Sequence, residues 1–414
     1  MRAREILTEV FGAKLAGIDS RLVKLSFDAV EALLKCERLT LTDLGRALPR
    51  DCVRKHAIKC VDRLLANPRI EAIRTQVGAA VSRALFEANP SPVVLVDWTE
   101  AGPGFWALSA ATPVSGRAIA LFHEVHPTAK LSNPDVERRF LQTLKDKVVP
   151  DDCTPVMVTD SGFKTGWFLG VLDVGWDFVG RLGGSMQVSG ELDNAEDPSA
   201  WKTLPAIYLR ANHRPQYLGL WALTKKHRLT SRLILHKRPR KGRKGSRKPN
   251  RKGVHPGSHA VQTVRKRAKE PWLLATSVTR LPKEVVAIYA LRMQIEETFR
   301  DTKSHRFGWS FEDAGSRTER RLNNLLLIAV LGAYVTMVLG VAAEAQGVHT
   351  GLQANTIRRR RVFSLFFLGR MVMSMPDLYE SLRSRFRAAL ATLAQLVRDA
   401  SLQSAVNGLS QSAK

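Results

Sequence analysis

Cysteine is scarce in this sequence, and the spacing of the few cysteines excludes two kinds of cross-linked protein. Only four occur, at Cys36, Cys52, Cys60 and Cys153, and no two of them form a C-x-x-C pair. The sequence therefore indicates neither a zinc ribbon nor a disulfide framework. Unpaired cysteines fit a reducing compartment, and the first residues lack the long apolar segment of a secretory signal. We expect a cytoplasmic protein.

Acidic residues are also few in comparison with basic ones. The chain has 38 Asp and Glu against 64 Lys and Arg, which gives a formal net charge of +26. Such an excess requires a polyanionic partner or a well-solvated surface. Nucleic acid is the commonest partner of this kind, and an anionic membrane is the second. The hydrophobic share of 44% argues against wholesale disorder, and 414 residues predict two or three domains.

Long apolar runs are nearly absent. One segment, from Leu325 to Ala343, has 19 residues without a charge, which is close to the minimum for a membrane span. A lone marginal segment in a strongly basic chain is more typical of a buried core helix. We therefore predict a core helix and no membrane partner. A membrane-associated basic protein is the alternative.

Residues 1–75 contain apolar positions at helical spacing, which predicts a helical domain. After a break at Pro49, His56, Lys59 and Arg63 fall on one face of the next predicted helix. Two short helices around a turn, the second with a basic face, resemble a helix-turn-helix arrangement that binds DNA. The alternative is an ordinary helical bundle with a solvated basic face.

Residues 90–182 change to short, β-branched apolar runs, two of which end on an acid, at Asp97 and at Asp160. The predicted order of strand, strand, strand, helix, strand, helix, strand is typical of a mixed α/β sheet. An unpaired carboxylate at the end of a buried strand is costly unless something compensates it. A capped turn explains each aspartate singly, whereas a metal site explains both together.

Residues 183–275 are predicted to be rich in β-strands, including one over residues 204–209. Within this region, residues 237–252 contain ten Lys or Arg and no acid. Such a run cannot fold on itself, so we predict a loop that contacts DNA, with a solvated or targeting segment as the alternative. The basic residues expected to contact DNA are Lys237, Arg238, Arg240, Lys241, Arg243 and Lys244. Residues 346–414 are predicted to form a helical C-terminal region.

A helix predicted over residues 287–306 has an unusual polar face. Tyr289, Arg292, Glu296, Arg300 and Lys303 fall in one arc, beside an apolar stripe. The neighbouring residue 297, also a glutamate, lies about 100° away around the helix axis. A solvated face would alternate acids and bases, whereas one acid among three cations is typical of a phosphate-facing surface with a metal ligand set into it.

Two strand-end aspartates and a helical glutamate make an oxygen ligand set suited to Mg²⁺ or Mn²⁺. Phosphoryl transfer to or from DNA benefits most from two such ions, one at the attacking oxygen and one at the leaving oxygen. We therefore predict that Asp97, Asp160 and Glu296 are both the catalytic residues and the ligands of two metal ions.

The spacing Tyr289-x2-Arg292-x3-Glu296-x6-Lys303 resembles the Tyr-Arg-Glu-Lys signature of the DDE transposases of bacterial insertion sequences. Within that family, the similarity is greatest to the group that includes the transposase of a tetracycline-resistance composite transposon. The resemblance covers about residues 30–360. It also rests on Val-Leu-Val-Asp97-Trp, on Val-Thr-Asp160-Ser-Gly-Phe and on the segment from Met293 to Lys303.

This resemblance implies an α/β fold with a ribonuclease-H-like core of residues 90–182 and 276–345, interrupted by a β-strand insertion domain of residues 183–275. Residues 1–75 would then form a DNA-end-binding domain. Asp97 would bridge both metals, and Tyr289, Arg292 and Lys303 would hold the 5′-phosphate side of the transposon end. Trp272 matches a tryptophan that stacks on a flipped base, although a core tryptophan is the alternative.

The activity implied is that of a cut-and-paste transposase. Water cleaves one strand at the transposon end, the freed 3′-hydroxyl attacks the opposite strand to form a hairpin, a second water opens the hairpin, and the 3′-hydroxyl attacks target DNA. The resemblance implies a homodimer on paired transposon ends, with end DNA and target DNA as partners. A catalytically inactive protein that binds transposon ends is the alternative, and it would be expected to have lost part of the triad.

Overall fold

The computed structural model describes residues 3–190, 192, 197–239, 270–354, 356–357 and 360–406. The chain divides into two compact units. Unit 1 consists of Met1–Val158, Asp173–Trp176 and Ala290–Gln403, and unit 2 consists of Thr159–Leu172, Asp177–Tyr289 and Ser404–Lys414. The fold of the described residues is mixed α/β.

The helices before the first strand are α1 (Ala3–Phe11), α2 (Ser20–Cys36), α3 (Leu41–Ala47), α4 (Arg54–Ala66) and α5 (Ile70–Phe86). The central helices are α6 (Pro134–Thr143), α7 (Thr165–Asp173), α8 (Leu204–Tyr208), α9 (Pro282–Ala290) and α10 (Met293–Lys303). The C-terminal helices are α11 (Glu319–Ala345), α12 (His349–Leu352), α13 (Leu365–Met373), α14 (Pro376–Leu382) and α15 (Phe386–Val406).

The strands of unit 1 are β1 (Val93–Glu100), β2 (Phe105–Val114), β3 (Arg117–Pro127) and β4 (Val156–Thr159), whose last residue begins unit 2. The strands of unit 2 are β5 (Asp177–Arg181), β6 (Gln187–Ser189), β7 (Lys202–Thr203), β8 (Gln216–Leu223), β9 (Leu229–His236) and β10 (Trp272–Thr276). Neighbouring strands follow the order β3-β2-β1-β4 in unit 1 and β5-β10-β9-β8-β6-β7 in unit 2.

The helices α1 to α5 of unit 1 occupy the region predicted to be helical. Helix α2 begins where the Asp19 side chain accepts a hydrogen bond from the Arg21 amide at 2.9 Å, as an N-cap residue does. Helix α3 begins in the same way at Thr40, whose hydroxyl oxygen accepts from the Asp43 amide at 3.1 Å. Both caps satisfy amides that an isolated helix end would leave unpaired.

Strand β1 is longer than predicted. Its first four residues, Val93 to Val96, are fully or almost fully buried, but antiparallel pairing with β2 continues to Glu100. Asp97 therefore lies inside the strand, opposite Ser109, rather than at its end. The sequence-based boundary is wrong because the change from apolar to polar residues marks a fall in burial, and the backbone ladder continues past that point.

Helix α11 contains the long apolar segment. It is long and apolar enough to cross a membrane by length and composition alone, which is weak evidence by itself. In the structure, 83% of its most apolar stretch is buried inside the protein, as the prediction of a core helix requires. Two close approaches fix it against α13, since a Cβ added at Gly369 or at Gly340 would overlap backbone of the opposite helix.

Unit 2 contains the β-rich region, with one error in the prediction. Residues 204–209 were expected to form a strand, but Leu204–Tyr208 is the short helix α8. The reason is local: Thr203 is extended and Pro205 occupies the first turn, where a missing amide hydrogen costs nothing and the fixed φ favours a helix.

The single helix predicted over residues 287–306 is also wrong, because the structure has two. Helix α9 ends at Ala290 and α10 begins at Met293, with a turn at Leu291 and Arg292. Tyr289 is buried in unit 2, whereas Ile295 is buried in unit 1. Helix stability in proteins comes chiefly from packing. The predicted helix is therefore divided into α9 and α10, whose apolar residues are buried in different units.

Candidate functional site

Asp97 and Glu296 meet at one guanidinium group in unit 1. Arg292 Nη1 lies 3.5 Å from Asp97 Oδ2, and Arg292 Nη2 donates to Glu296 Oε1 at 2.5 Å. The side chains of Asp97 and Arg292 are 13% and 12% exposed, whereas that of Glu296 is 42% exposed. Two carboxylates 199 positions apart in the sequence therefore converge on one cation at the edge of the core.

The two acids line an open cavity of about 440 Å³ in unit 1. Lys303 and Arg300 line the same cavity and bring cations from the last turn of α10. Lys303 Nζ donates to Thr99 Oγ1 at 2.6 Å, and the lysine is thereby held against the strand that carries Asp97. Because side chains alternate along a strand, Thr99 and Asp97 emerge on the same face of β1.

Helix α10 is fastened to the start of β3 by a pair of contacts, which we call the β3 clamp. Arg117 forms a two-pronged ion pair with Asp301, with Nε–Oδ2 at 2.5 Å and Nη2–Oδ1 at 3.3 Å. One turn earlier, Thr298 Oγ1 accepts from the Ala118 amide at 2.8 Å. Burial raises the pKa of Asp301, and Arg117 opposes that rise by favouring the charged form. The clamp holds the helix that carries Glu296 and Lys303.

Asp160 lies in unit 2, directly after β4, whose four residues are all buried. Its Oδ1 accepts a hydrogen bond from the Gly162 amide at 2.7 Å, so the aspartate organises the turn that follows it. A Cβ at position 162 would lie 2.9 Å from the same oxygen, which explains the glycine there. Among the residues that the structure describes, no three His, Cys, Asp or Glu side chains form a group that could hold a metal ion.

Tyr289 and Trp272 contact each other in unit 2, with ring centroids 4.6 Å apart in an edge-to-face arrangement. Trp272 is 7% exposed, and the guanidinium of Arg238 lies over its ring at 4.6 Å. The tryptophan therefore packs as a core residue on one side and contacts a cation from the start of the basic loop. Stacking on a flipped base stays a prediction.

The other basic residues predicted to contact DNA fall into three groups. His56, Lys59 and Arg63 are exposed on α4, and Lys59 pairs with Asp62 at 2.7 Å. Lys237 is exposed at the end of β9, where its carbonyl accepts from His213 Nδ1 at 2.8 Å. The remaining loop residues, Arg240, Lys241, Arg243 and Lys244, lie outside the described residues.

Sequence reasoning missed Thr99, Arg117 and Asp301. The two-residue period of a strand is a signal that would have placed Thr99 beside Asp97. No local signal links Arg117 to Asp301, because 184 positions separate them and only the folded chain brings them together.

The sequence matches the profile of a protein family described as the transposase DDE domain over residues 120–335, just over half of the chain. The chain therefore belongs to this family and is a transposase, an enzyme of DNA transposition and recombination. The matched range includes Asp160 and Glu296 but begins after Asp97. The prediction that Asp97 is catalytic therefore rests on its position beside Glu296 and not on the family match. A comparison with curated proteins gave no match.

Proposed function

We propose that this transposase belongs to the Tyr-Arg-Glu-Lys signature group and moves DNA by a cut-and-paste route, with Asp97, Asp160 and Glu296 as catalytic residues. The observation that carries the proposal is the convergence of Asp97 and Glu296 on Arg292, inside an open cavity that also contains Arg300 and Lys303. Glu312 also lines this cavity. Acids set beside cations are what a phosphodiester substrate and its metal ions together require.

The residues present fit divalent cations. Asp97 and Glu296 offer hard carboxylate oxygens to a common cation, here the guanidinium of Arg292, and such oxygens suit Mg²⁺ and Mn²⁺. We propose that these two acids, with Asp160, hold two ions. When bound, such ions make water a better nucleophile and stabilise the leaving oxygen.

The side chains around the acids bind and orient the DNA. Arg300 and Lys303 place two positive charges on the cavity wall, suited to phosphate oxygens beside the cleaved bond. Lys303 is already oriented by its hydrogen bond to Thr99, so little side-chain freedom is lost when it binds. Arg292 holds Asp97 and Glu296 close together, because its guanidinium pairs with both carboxylates.

Four displacements at phosphorus give the complete reaction. Water first replaces the 3′-oxygen of one strand and leaves a 5′-phosphate. The freed 3′-hydroxyl attacks a phosphodiester of the opposite strand and displaces the 3′-oxygen of the flanking nucleotide, which closes a hairpin and releases the flanking DNA. A second water reopens that hairpin, and the same 3′-hydroxyl replaces a 3′-oxygen in target DNA. Because each step exchanges one oxygen for another at phosphorus, a single set of carboxylates can serve all four.

Three further features complete the proposal. The partners are transposon-end DNA and target DNA, and the protein acts in the cytoplasm as a homodimer on paired ends. The exposed basic face of α4, with His56, Lys59 and Arg63, contacts end DNA. Trp272, backed by Tyr289, stacks on the base that leaves the helix during hairpin formation.

The deciding experiment incubates the purified protein with the end DNA of its own element, with and without Mg²⁺ or Mn²⁺, and separates nicked and hairpin products. We expect both products, and only with metal. Alanine substitution at Asp97, Asp160 or Glu296 should abolish nicking and leave end binding largely intact. Wild-type protein that binds the ends yet never nicks them would instead be an inactive end-binding protein, and nicking retained by any of the three variants would contradict the triad.

A further inference from the structure

A second open cavity of about 440 Å³ lies within unit 2, and none of the roles proposed above uses it. It is formed by the start of α7, the segment before β6 and the turn between β8 and β9. The residues that matter chemically are Lys164, Thr165, Thr224, Lys225, Lys226 and His227. Its volume falls within the range of about 300–1,000 Å³ that is usual for ligand sites.

The charge of this cavity is of one sign. Lys164, Lys225 and Lys226 are exposed at its wall, and His227 lies beside them. None of the described residues that line it is acidic. Cations gathered without acids repel one another unless an anion or solvent compensates them, so the cavity favours an anionic ligand.

Two threonine hydroxyls of this cavity have no partner among the described residues. Thr165 is 2% exposed, and its Oγ1 is buried without a hydrogen bond. Thr224 Oγ1, on the other side of the cavity, is buried without a hydrogen bond as well. Leaving a buried polar atom unpaired costs about 1–3 kcal/mol. Two such hydroxyls lining one cationic cavity point to a ligand that accepts hydrogen bonds.

The start of α7 supplies further donors. The nine-residue helix begins at Thr165. The Trp167 amide donates to the Lys164 carbonyl at 2.9 Å, and the amides before it have no partner within the helix. Gly166 follows with open space around the position that a Cβ would occupy, so an anion can approach the backbone closely. A helix N-terminus favours negative charge through its dipole.

The cavity walls are held in place by hydrogen bonds. The Thr224 amide donates to the Gln187 carbonyl at 3.0 Å, and the Arg228 amide donates to the Thr224 carbonyl at 2.9 Å, which closes the turn between β8 and β9. Lys164 Nζ donates to the Ser161 carbonyl at 3.1 Å. That contact uses one of its three donors and ties the cavity to the loop that begins at Asp160.

We propose that this cavity binds a backbone phosphodiester of the DNA strand that passes Asp160. The inference rests on the proposed function for the identity of the ligand, since the cavity by itself specifies only a phosphate-like anion. Lys225, Lys226 and Lys164 supply charge, and the two threonine hydroxyls and the α7 amides supply oriented donors. The strand belongs either to the transposon end or to the target, because both present the same phosphodiester.

The test measures binding by fluorescence anisotropy across a salt series, with two duplexes: the transposon end and an unrelated sequence that stands for the target. The variants are Thr165→Val and Lys225→Ala. Their matched controls are Thr230→Val and Lys202→Ala, which alter exposed residues of unit 2 outside the cavity. Nicking of end DNA with Mg²⁺ is followed in the same preparations, so that the proposed function is scored separately.

We expect Lys225→Ala to reduce the slope of log affinity against log salt by about 0.9, the value of one lost phosphate contact. Thr165→Val should raise the dissociation constant about tenfold, as for a lost hydrogen bond to a charged group. Its melting temperature should stay the same or rise, because without DNA the substitution removes an unpaired hydroxyl. A stability defect alone would not produce this combination.

Each outcome decides the proposal. An effect on end DNA only assigns the strand to the transposon end, and an effect on the unrelated duplex only assigns it to the target. Binding of both duplexes indistinguishable from that of the matched controls overturns the phosphate site, even if the wild-type protein nicks normally. Failure of the wild-type protein to nick while the binding defects appear would overturn the proposed function and leave the phosphate site standing.

Discussion

The two units each contain an open cavity of about 440 Å³, but the two cavities differ in charge. The cavity of unit 1 is lined by the acids Asp97, Glu296 and Glu312 and by the cations Arg300 and Lys303, whereas none of the described residues lining the cavity of unit 2 is acidic. In unit 1 the acids already have a cationic partner in Arg292. In unit 2 the hydroxyls of Thr165 and Thr224 and the amides at the start of α7 can donate hydrogen bonds.

This difference separates a cavity suited to catalysis, in unit 1, from a cavity suited to binding, in unit 2. Cations and hydroxyls bind a phosphate, but they cannot retain divalent ions, so the cavity of unit 2 is equipped to position DNA and not to cleave it. Carboxylates alone would repel DNA, and in unit 1 Arg292, Arg300 and Lys303 lie beside them and offset part of that repulsion. A transposase needs both an acidic and a basic surface. The chain has 64 basic residues against 38 acidic ones, so basic surface is the more abundant of the two.

The largest effect is expected at Glu296. Glu296→Gln keeps the size of the side chain and removes its charge, so nicking of end DNA should fall about 1,000-fold, equivalent to about 4 kcal/mol. Glu297→Gln is the matched control, because that neighbour pairs with Arg300 at 2.7 Å and with Arg117 at 4.0 Å and does not line the cavity that contains Asp97. Single-turnover nicking assays give both rates. Equal losses of nicking rate for the two variants would contradict the claim that Glu296, and not its neighbour, acts together with Asp97 in unit 1.

The next largest effect is expected at the β3 clamp. Asp301→Asn removes the close carboxylate partner of the poorly solvated Arg117 and leaves only Glu297, at 4.0 Å, so the free energy of unfolding should fall by about 3 kcal/mol. The control is Glu380→Gln, which breaks the exposed pair with Arg383 and should cost less than about 1 kcal/mol. Chemical denaturation measures both. A similar, small cost for the two variants would show that α10 does not depend on the clamp.

A smaller effect is expected when pH is lowered, because each unit contains a histidine whose pKa is reduced by burial. Burial, followed by the charge of Arg74, lowers the pKa of His123 from 6.5 to about 3, and burial also lowers the pKa of His236 in unit 2. Below pH 6.5 the unfolded chain gains a proton that the folded His123 does not, so stability is lost as pH falls from 6.5 toward 3. Between pH 7 and pH 5 this loss should be about 2 kcal/mol.

The substitution His123→Gln should remove that part of the pH dependence, since Gln does not titrate and its amide can still donate to the Asn323 carbonyl that faces His123 Nε2 at 3.1 Å. The free energy of unfolding is measured at both pH values for wild type and variant. An identical pH dependence in the two proteins would contradict the assignment.

The smallest effect is expected at Trp272. Trp272→Phe keeps an aromatic ring beside Tyr289 but reduces the surface on which a base can stack. The ratio of hairpin to first nick should fall about threefold, or about 0.7 kcal/mol, which is less than the roughly 1–3 kcal/mol of a complete stacking contact because the phenyl ring retains part of it. Trp201→Phe is the control in the same unit, because Trp201 is also 7% exposed. Gel analysis of both products gives the ratio, and equal ratios for the two variants would make Trp272 a core residue only.

The sequence was informative wherever function depends on local pattern. The run from Val93 to Val96 predicted a buried strand leading to Asp97, and the spacing of Arg292, Glu296 and Lys303 predicted a shared face. In the structure Asp97, Glu296 and Lys303 line one cavity. Arg292 pairs with both acids beside it. Pattern succeeds here because a strand repeats every two residues and a helix every 3.6.

Features that depend on packing were not predictable. The break between α9 and α10 has no proline or glycine to signal it, and it arises because Tyr289 and Ile295 are buried in different units. The ion pair between Arg117 and Asp301 joins residues 184 positions apart. The cavity of unit 2 likewise draws on three separate segments, none of which carries a recognisable motif.

The β3 clamp has a consequence for which of two adjacent glutamates reaches Asp97. Residues 296 and 297 are both Glu, so a turn of α10 by about 100° around its own axis would exchange them. Arg117 pairs with Asp301, and the Ala118 amide donates to Thr298 Oγ1, so a rotation of that size would break both contacts. The choice between two chemically identical side chains is thus made by an arginine and an amide at the beginning of a distant strand.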